Sequence, residues 1–270
     1  MDSFWIKIDD HYLNTVSPYM KMKVEKKIQS EPDRTHFVRM CPYCNNFYML
    51  SMITESLITM GVNPKYCGIC YESDPFYKIH YSLEKVRILH KLSVTNLSIN
   101  ENTTVEKVQR VLLEQCVVNL ATGFEVFFRD IFAIGMNLKF VKNEHSLISK
   151  FYKESKNEFL NIGKMDRIFK EELNVDLKSL FNEEIYSELK IIMHKRHAIV
   201  HNNGLVDKKF LTQSGIECNL GKMIPISSEE IEKYLATAEA IVKIVKQMFD
   251  QLFFPYLKER IDTELYLLVR

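Results

Sequence analysis

Long apolar runs are missing from these 270 residues: none approaches the roughly 18–20 uninterrupted positions that a membrane helix needs. The densest stretch, 111–138, is broken by Glu114, Glu125, Arg129 and Asp130, so no membrane partner is expected. Met1-Asp2-Ser3-Phe4-Trp5 lacks a basic segment leading into an apolar one. That is not the pattern of a secretory leader, and a soluble cytoplasmic protein is expected. An excess of one charge is missing too: 36 Lys and Arg stand against 35 Asp and Glu, a net charge of +1. This excludes a globally basic nucleic-acid binder but leaves room for a local basic patch. Repeats and low-complexity segments are absent, as are a phosphate-cradling glycine loop and a Ser–His–Asp arrangement. Nucleotide hydrolysis and acyl transfer therefore rank low.

What is present is ordinary for a folded chain, with 46% hydrophobic and 26% charged residues. The six cysteines are not spread like a disulfide framework. Cys41-Pro42-Tyr43-Cys44 and Cys67-Gly68-Ile69-Cys70 form two Cys-x-x-Cys knuckles, while Cys116 and Cys218 stand alone. Each knuckle lets two thiolates approach one ion, and two knuckles complete a tetrahedral four-sulfur shell suited to zinc. A closed four-thiolate shell has no position for water, so Cys41, Cys44, Cys67 and Cys70 predict structural zinc, and no other cofactor is expected. The same segment is rich in aromatics, including Tyr43, Phe47, Tyr48, Tyr66 and Tyr71, which would suit base stacking. Its charges are nearly balanced, which favours a staple for a small lobe or a protein-interaction surface.

Residues 1–80 read as this four-cysteine zinc-binding module and 81–270 as a helical bundle of four or five main helices. Thr103-Thr104 opens a pattern running to Phe132, either one long helix or two joined near Gly123. Residues 146–160 and 164–173 are shorter candidates. Glu183–His201 is amphipathic, 205–226 reads as a loop or short hairpin, and Ser227-Ser228-Glu229-Glu230 caps a last helix continuing to about Phe254. The fold class is mainly α.

The densest chemistry lies at the end of the fourth pattern, in Met193-His194-Lys195-Arg196-His197-Ala198-Ile199-Val200-His201, closed by Asn202-Asn203-Gly204. Arg196 and His201 stand at i and i+5, about 7.5 Å of rise and about 140° apart on a helix, a gap that a long arginine can span. A histidine in the last turn feels a dipole that favours imidazolium. An RNA backbone is cut by its own 2′-hydroxyl when one group removes that proton and another protonates the leaving oxygen. A guanidinium meanwhile offsets the charge growing on the phosphoryl oxygens. Arginine and histidine at a helix end also serve as plain caps; the crowding of His194, Lys195, Arg196, His197 and His201 weighs towards chemistry.

Arg196 through Asp207 resembles the Arg-x4-His signature of HEPN-superfamily ribonucleases, in which an arginine is followed by a polar residue and, a few residues on, a histidine. Phe124-Glu125-Val126-Phe127-Phe128-Arg129-Asp130 and Ile226-Ser227-Ser228-Glu229-Glu230-Ile231 resemble the family's flanking segments, so the likeness covers about 100–255 and leaves the zinc module outside. The resemblance implies a HEPN helical bundle working as a homodimer, with two copies of Arg196 and His201 in one composite site. Its activity would be metal-independent endoribonuclease cleavage leaving a 2′,3′-cyclic phosphate or a similar end. Arg196 would bind the scissile phosphate, His201 would transfer protons and His197, in the polar position, would order the site. The likeness further implies a toxin or anti-phage (abortive infection) effector held or triggered by a protein partner. Glu125 and Asp130 are expected to pair at the surface or the core edge rather than to take part in chemistry. Two rivals remain: a non-catalytic HEPN-like module binding RNA or protein, and a zinc-ribbon adaptor whose bundle is an oligomerisation scaffold.

Overall fold

The computed structural model describes residues 5–7, 18–29, 34–41, 47–53, 74–95, 104–139 and 158–253, with 255–256, 258–259 and 263 beyond them. The chain divides into two compact units: Met1–Asp74 with Asn137–Asn143 and Met248–Arg270, and Pro75–Met136 with Glu144–Gln247. The sequence-based division fell instead at 80/81 and kept each part continuous. The described residues are mainly helical, with one small sheet.

In the first unit, strands β1 (Trp5–Lys7), β2 (Arg34–Met40) and β3 (Phe47–Ile53) form an antiparallel sheet in the order β1-β2-β3. Trp5 lies opposite Arg39, and Phe37 opposite Leu50. Helix α1 (Pro18–Gln29) connects β1 to β2 in sequence, and its Val24 is buried. Cys41 follows β2 directly and is fully buried. Cys44, Cys67 and Cys70 lie outside the described residues, as does 146–157 of the expected helix over 146–160.

The second unit is helical. Helix α2 (Pro75–Val94) begins at Pro75, although Asp74-Pro75 taken alone reads as a turn dipeptide. Proline suits the first helical position, where its fixed φ fits and its missing N–H costs no bond. Helix α3 (Val105–Lys139) is continuous through Gly123. The reason lies in packing: a Cβ on Gly123 would stand 2.9 Å from Ser82 Cβ and 3.2 Å from Ile79 Cδ1, so the glycine lets α3 press onto α2. Helix α3 is long and apolar enough to cross a membrane, unlike the sequence-based expectation, yet half of its most apolar stretch is buried inside the protein. Phe127 packs edge-on against Phe76 of α2, and Phe128 and Phe132 against Phe169 of helix α4 (Ile162–Leu173). Each such fully buried side chain contributes about 1.5–3 kcal/mol.

A 3-10 turn (Glu158–Leu160) precedes α4, and a short α5 (Leu177–Leu180) follows it. Asp166 accepts from the N–H groups of Leu177 and Lys178, folding that corner back on α4. Helix α6 (Glu183–Asn202) starts on an Asn182 cap with acids in its first turn and stops where Asn203 and Gly204 turn left-handed. These are the stop and start signals that helix ends need. Within the stretch expected as loop lies helix α7 (Lys208–Ser214), capped by Asp207, and a single bridge pairs Leu205 with Met223. Helix α8 (Ser228–Leu252) closes the described core.

Helices α6 and α8 are joined by a buried cation. Lys195 has 0% side-chain exposure, and its Nζ donates to the Pro225 carbonyl at 2.6 Å and to both Glu230 carboxylate oxygens at 2.8 and 2.9 Å. Ser227 and Glu230 cap α8 reciprocally: the Ser227 N–H donates to Glu230, and the Glu230 N–H to the Ser227 hydroxyl. Removing one partner of a buried ion pair costs about 3–5 kcal/mol when the other charge is left stranded. Glu230 is 37% exposed and can rehydrate, whereas Lys195 cannot. Urea unfolding should therefore show Glu230→Ala losing more stability than Lys195→Met; the reverse order would contradict this account of the pair.

Candidate functional site

The turn after α6 explains why the motif ends where it does. The Gly204 N–H donates to the Ala198 carbonyl at 3.0 Å, and the Gly204 carbonyl accepts from Ile224 at 2.8 Å. Gly204 has φ +74°, a region that disfavours side chains, and an added Cβ would lie 3.1 Å from Glu114 Oε1 and from Met223 Cε. Glu114 is held there by Arg110, whose Nε donates to it at 2.7 Å. The end of the motif helix is thus wedged against the start of α3. On the other side Ala198, Val206, Phe210 and Ile224 form a small core that seats α7 on α6.

Successive helix positions turn by about 100°, and this splits the five clustered residues among three directions. Lys195, expected as part of the cationic cluster, is buried against Glu230 and contributes no surface charge. Its Nζ also lies 5.6 Å from the ring centre of Tyr234.

Arg196 is half-buried, and among the described residues its buried Nε makes no hydrogen bond. Its charge acts on Glu125 of α3, whose carboxyl is raised above its ordinary range by burial, with Arg129 and Arg196 opposing the rise. Asp130, by contrast, is a buried core-edge partner. It lies 2.7 Å from Lys78 Nζ and 3.8 Å from Arg129 Nε.

His194, His197 and His201 take the third direction. The His197 and His201 ring centres are 4.6 Å apart, with His197 half-buried and His201 exposed. Burial lowers His197, as do Lys209, His201 and Arg196, while Asp207 works the other way. Burial, then Lys190, His197 and Lys209, pull His194 from 6.5 down to about 4. Asp207 accepts from the Phe210 N–H at 2.6 Å and from Asn202 Nδ2 at 2.5 Å, which keeps its carboxyl below the usual range.

The motif therefore brings His197 and His201 into ring contact and sets Arg196 within electrostatic range of His197. Glu125, Asp207 and Lys209 surround them. Of these, Lys209 carried no signal in the sequence, and Asp207 was visible only as the end of the motif. Val200, Leu205 and Met223 beside the site are exposed by 44%, 43% and 46%. Cys41 is the one member of the expected zinc quartet among the described residues, and no group of three or more His, Cys, Asp or Glu among those residues could hold a metal. Cys116 is an inert core residue: its thiol is pushed up to about 12 by burial and donates to the Val86 carbonyl.

No family model, no curated protein and no solved structure matches this chain.

The histidines make stability depend on pH with a definite sign. The folded state holds His194 near pKa 4, against 6.5 in an exposed chain. Acidification therefore protonates the unfolded state first, and the stability present above pH 6.5 is lost as pH falls towards 4. His197 acts in the same direction. Depressed carboxylates such as Asp207 lose their contribution only lower, below their ordinary 3.8. Urea midpoints should fall between pH 6.5 and 4, and His194→Gln should flatten that slope. An unchanged slope in the variant would contradict the assignment.

Proposed function

We propose that this chain is a metal-independent endoribonuclease of HEPN type with a structural zinc in its N-terminal module. It would act as a cytoplasmic homodimer in anti-phage defence, as a toxin-like effector held or triggered by a protein partner. The observation that carries the reading is a pair of histidine rings 4.6 Å apart, one of them, His197, within electrostatic range of a half-buried arginine whose Nε makes no hydrogen bond among the described residues.

In the proposed reaction the substrate's 2′-hydroxyl passes its proton to the imidazole of one His201 and its oxygen attacks the adjacent phosphorus. The bond from phosphorus to O5′ breaks, and O5′ takes a proton from the imidazolium of the second His201. The products are a 2′,3′-cyclic phosphate and a 5′-hydroxyl. Arg196 donates to the non-bridging oxygens as charge grows on them, an effect strongest where water is excluded. His197, whose pKa burial and the neighbouring cations lower, packs on His201 and would orient it. The exposed Val200, Leu205 and Met223 beside the site offer apolar surface for a second copy.

Zinc rests on the spacing of Cys41, Cys44, Cys67 and Cys70. The buried position of Cys41 fits a closed structural ligand. The ion would hold the module together and take no part in cleavage. Cys41→Ser should lower zinc from about one ion per chain, as a four-thiolate site binds, and lower the module's melting temperature. Full zinc content in that variant would remove the proposed site.

The activity is tested by incubating purified protein with single-stranded and structured RNA in excess chelator. Wild type should cut, and His201→Ala and Arg196→Ala should lose at least about 100-fold in rate, as removal of a proton-transfer or charge-stabilising group does. Silence from all three with RNA still bound would favour a non-catalytic binding module, and silence without binding an adaptor.

A further inference from the structure

The histidine face of α6 continues well beyond the residues that the cleavage site uses. Lys190, His194, His197 and His201 stand at i, i+4, i+7 and i+11, which puts all four within about 60° on one helix face. Lys190 and His201 are exposed, and His194 and His197 half-buried. From Lys190 to His201 the stripe runs about 16 Å along the helix, too long for a single phosphate. Lys208 and Lys209, both exposed, open α7 beside it, and α7 is fixed on α6 by the core around Ala198 and Phe210.

The charges acting on His194 are Lys190, His197 and Lys209, and those acting on His197 are Lys209, His201, Asp207 and Arg196. Lys209 thus lies within electrostatic range of both rings. Asp207 is the one acid in these sets, and its oxygens are already engaged by the Phe210 N–H and by Asn202. Among the described residues no ion pair engages Lys190 or Lys209, and the His194 and His197 rings lie within the field of Lys209. Alternation of cation and aromatic ring is the arrangement that holds single-stranded nucleic acid: charges track the backbone and rings stack the bases. A duplex keeps its bases stacked inside and gives such rings nothing to stack on.

We propose that Lys190, His194, His197 and Lys209 form a track for single-stranded RNA that leads the chain into the Arg196–His201 site. Lys190 and Lys209 hold phosphates, and the His194 ring takes a base. The track rests on the ribonuclease reading for its purpose, while its binding is measurable without cleavage. A half-buried imidazole that stays neutral suits stacking better than ion pairing, in keeping with the low pKa of His194.

The test uses a 2′-O-methyl single-stranded oligonucleotide, which has no free 2′-hydroxyl and cannot be cut by the proposed chemistry, with binding followed by fluorescence anisotropy over a salt series. Lys190→Ala and Lys209→Ala should each weaken binding and reduce the slope of log K against log salt by about 0.7, the loss of one phosphate contact on a single strand. His194→Ala should weaken binding about tenfold with the slope unchanged, as loss of one stacked base does. His194→Phe, which keeps a ring face, should restore it. The duplex of the same sequence should bind more weakly than the single strand.

Wild-type slopes in both lysine variants, failure of His194→Phe to recover binding, or preference for the duplex would each overturn the track. The two readings fail separately. Binding with these dependences but no cleavage of ordinary RNA would keep the track and remove the nuclease. Cleavage with unaltered slopes would do the opposite.

Discussion

The buried ammonium of Lys195 sets the orientation of everything around it. A lysine with no exposed side-chain area has to find an anion and further acceptors, because an unpaired charge in the interior costs several kcal/mol. It finds Glu230 and the Pro225 carbonyl. On a helix that choice also fixes the neighbours, since each following position is turned by about 100°. With Lys195 directed at the start of α8, Arg196 comes into the field of Glu125 on α3, and His197 into that of Lys209 on α7. The same contact sets the beginning of α8, because Glu230 both receives the ammonium and completes the cap with Ser227.

The site that results is held at its edges, and among the described residues the Arg196 Nε makes no hydrogen bond. Asp207 is occupied with capping α7 and binding Asn202, and Asp130 with Lys78. The acid nearest Arg196 in effect, Glu125, is itself raised towards its neutral form by burial. Lowered pKa values of His194 and His197 are the other side of this arrangement: burial disfavours their charged forms, and the cations gathered on one face add to it. Perturbed groups cluster at proton-transfer and phosphate-binding sites, and here His194 and His197 neighbour the two residues of the Arg-x4-His spacing on α6.

Legibility in the sequence followed the range of the determining interactions. The motif helix was readable almost to its ends, because its cap, first-turn acids and Asn203-Gly204 stop are all local. The start of α8 was readable for the same reason. Gly123 was ambiguous, since its purpose is a 2.9 Å approach to Ser82, far away in sequence. Helix α7 was read as loop because it is only seven residues long and its cap lies within the motif. Asp74-Pro75 looked like a turn, although the same dipeptide opens α2. Lys195 was counted as surface charge because its partner, Glu230, lies on another helix. His197 and His201 stand out in sequence by their spacing and neighbours; Glu125 is visible there only as a charge in an apolar helix, and the influence of Arg196 on it is not.

A phosphodiester cut by its own 2′-hydroxyl leaves distinctive ends, so the most direct measurement is the chemistry of the ends produced. Mass spectrometry of fragments from a defined single-stranded RNA, cleaved in chelator, should show a 2′,3′-cyclic phosphate on the upstream fragment and a 5′-hydroxyl on the downstream one. A 3′-hydroxyl with a 5′-phosphate, or RNA left uncut at high enzyme concentration, would contradict it.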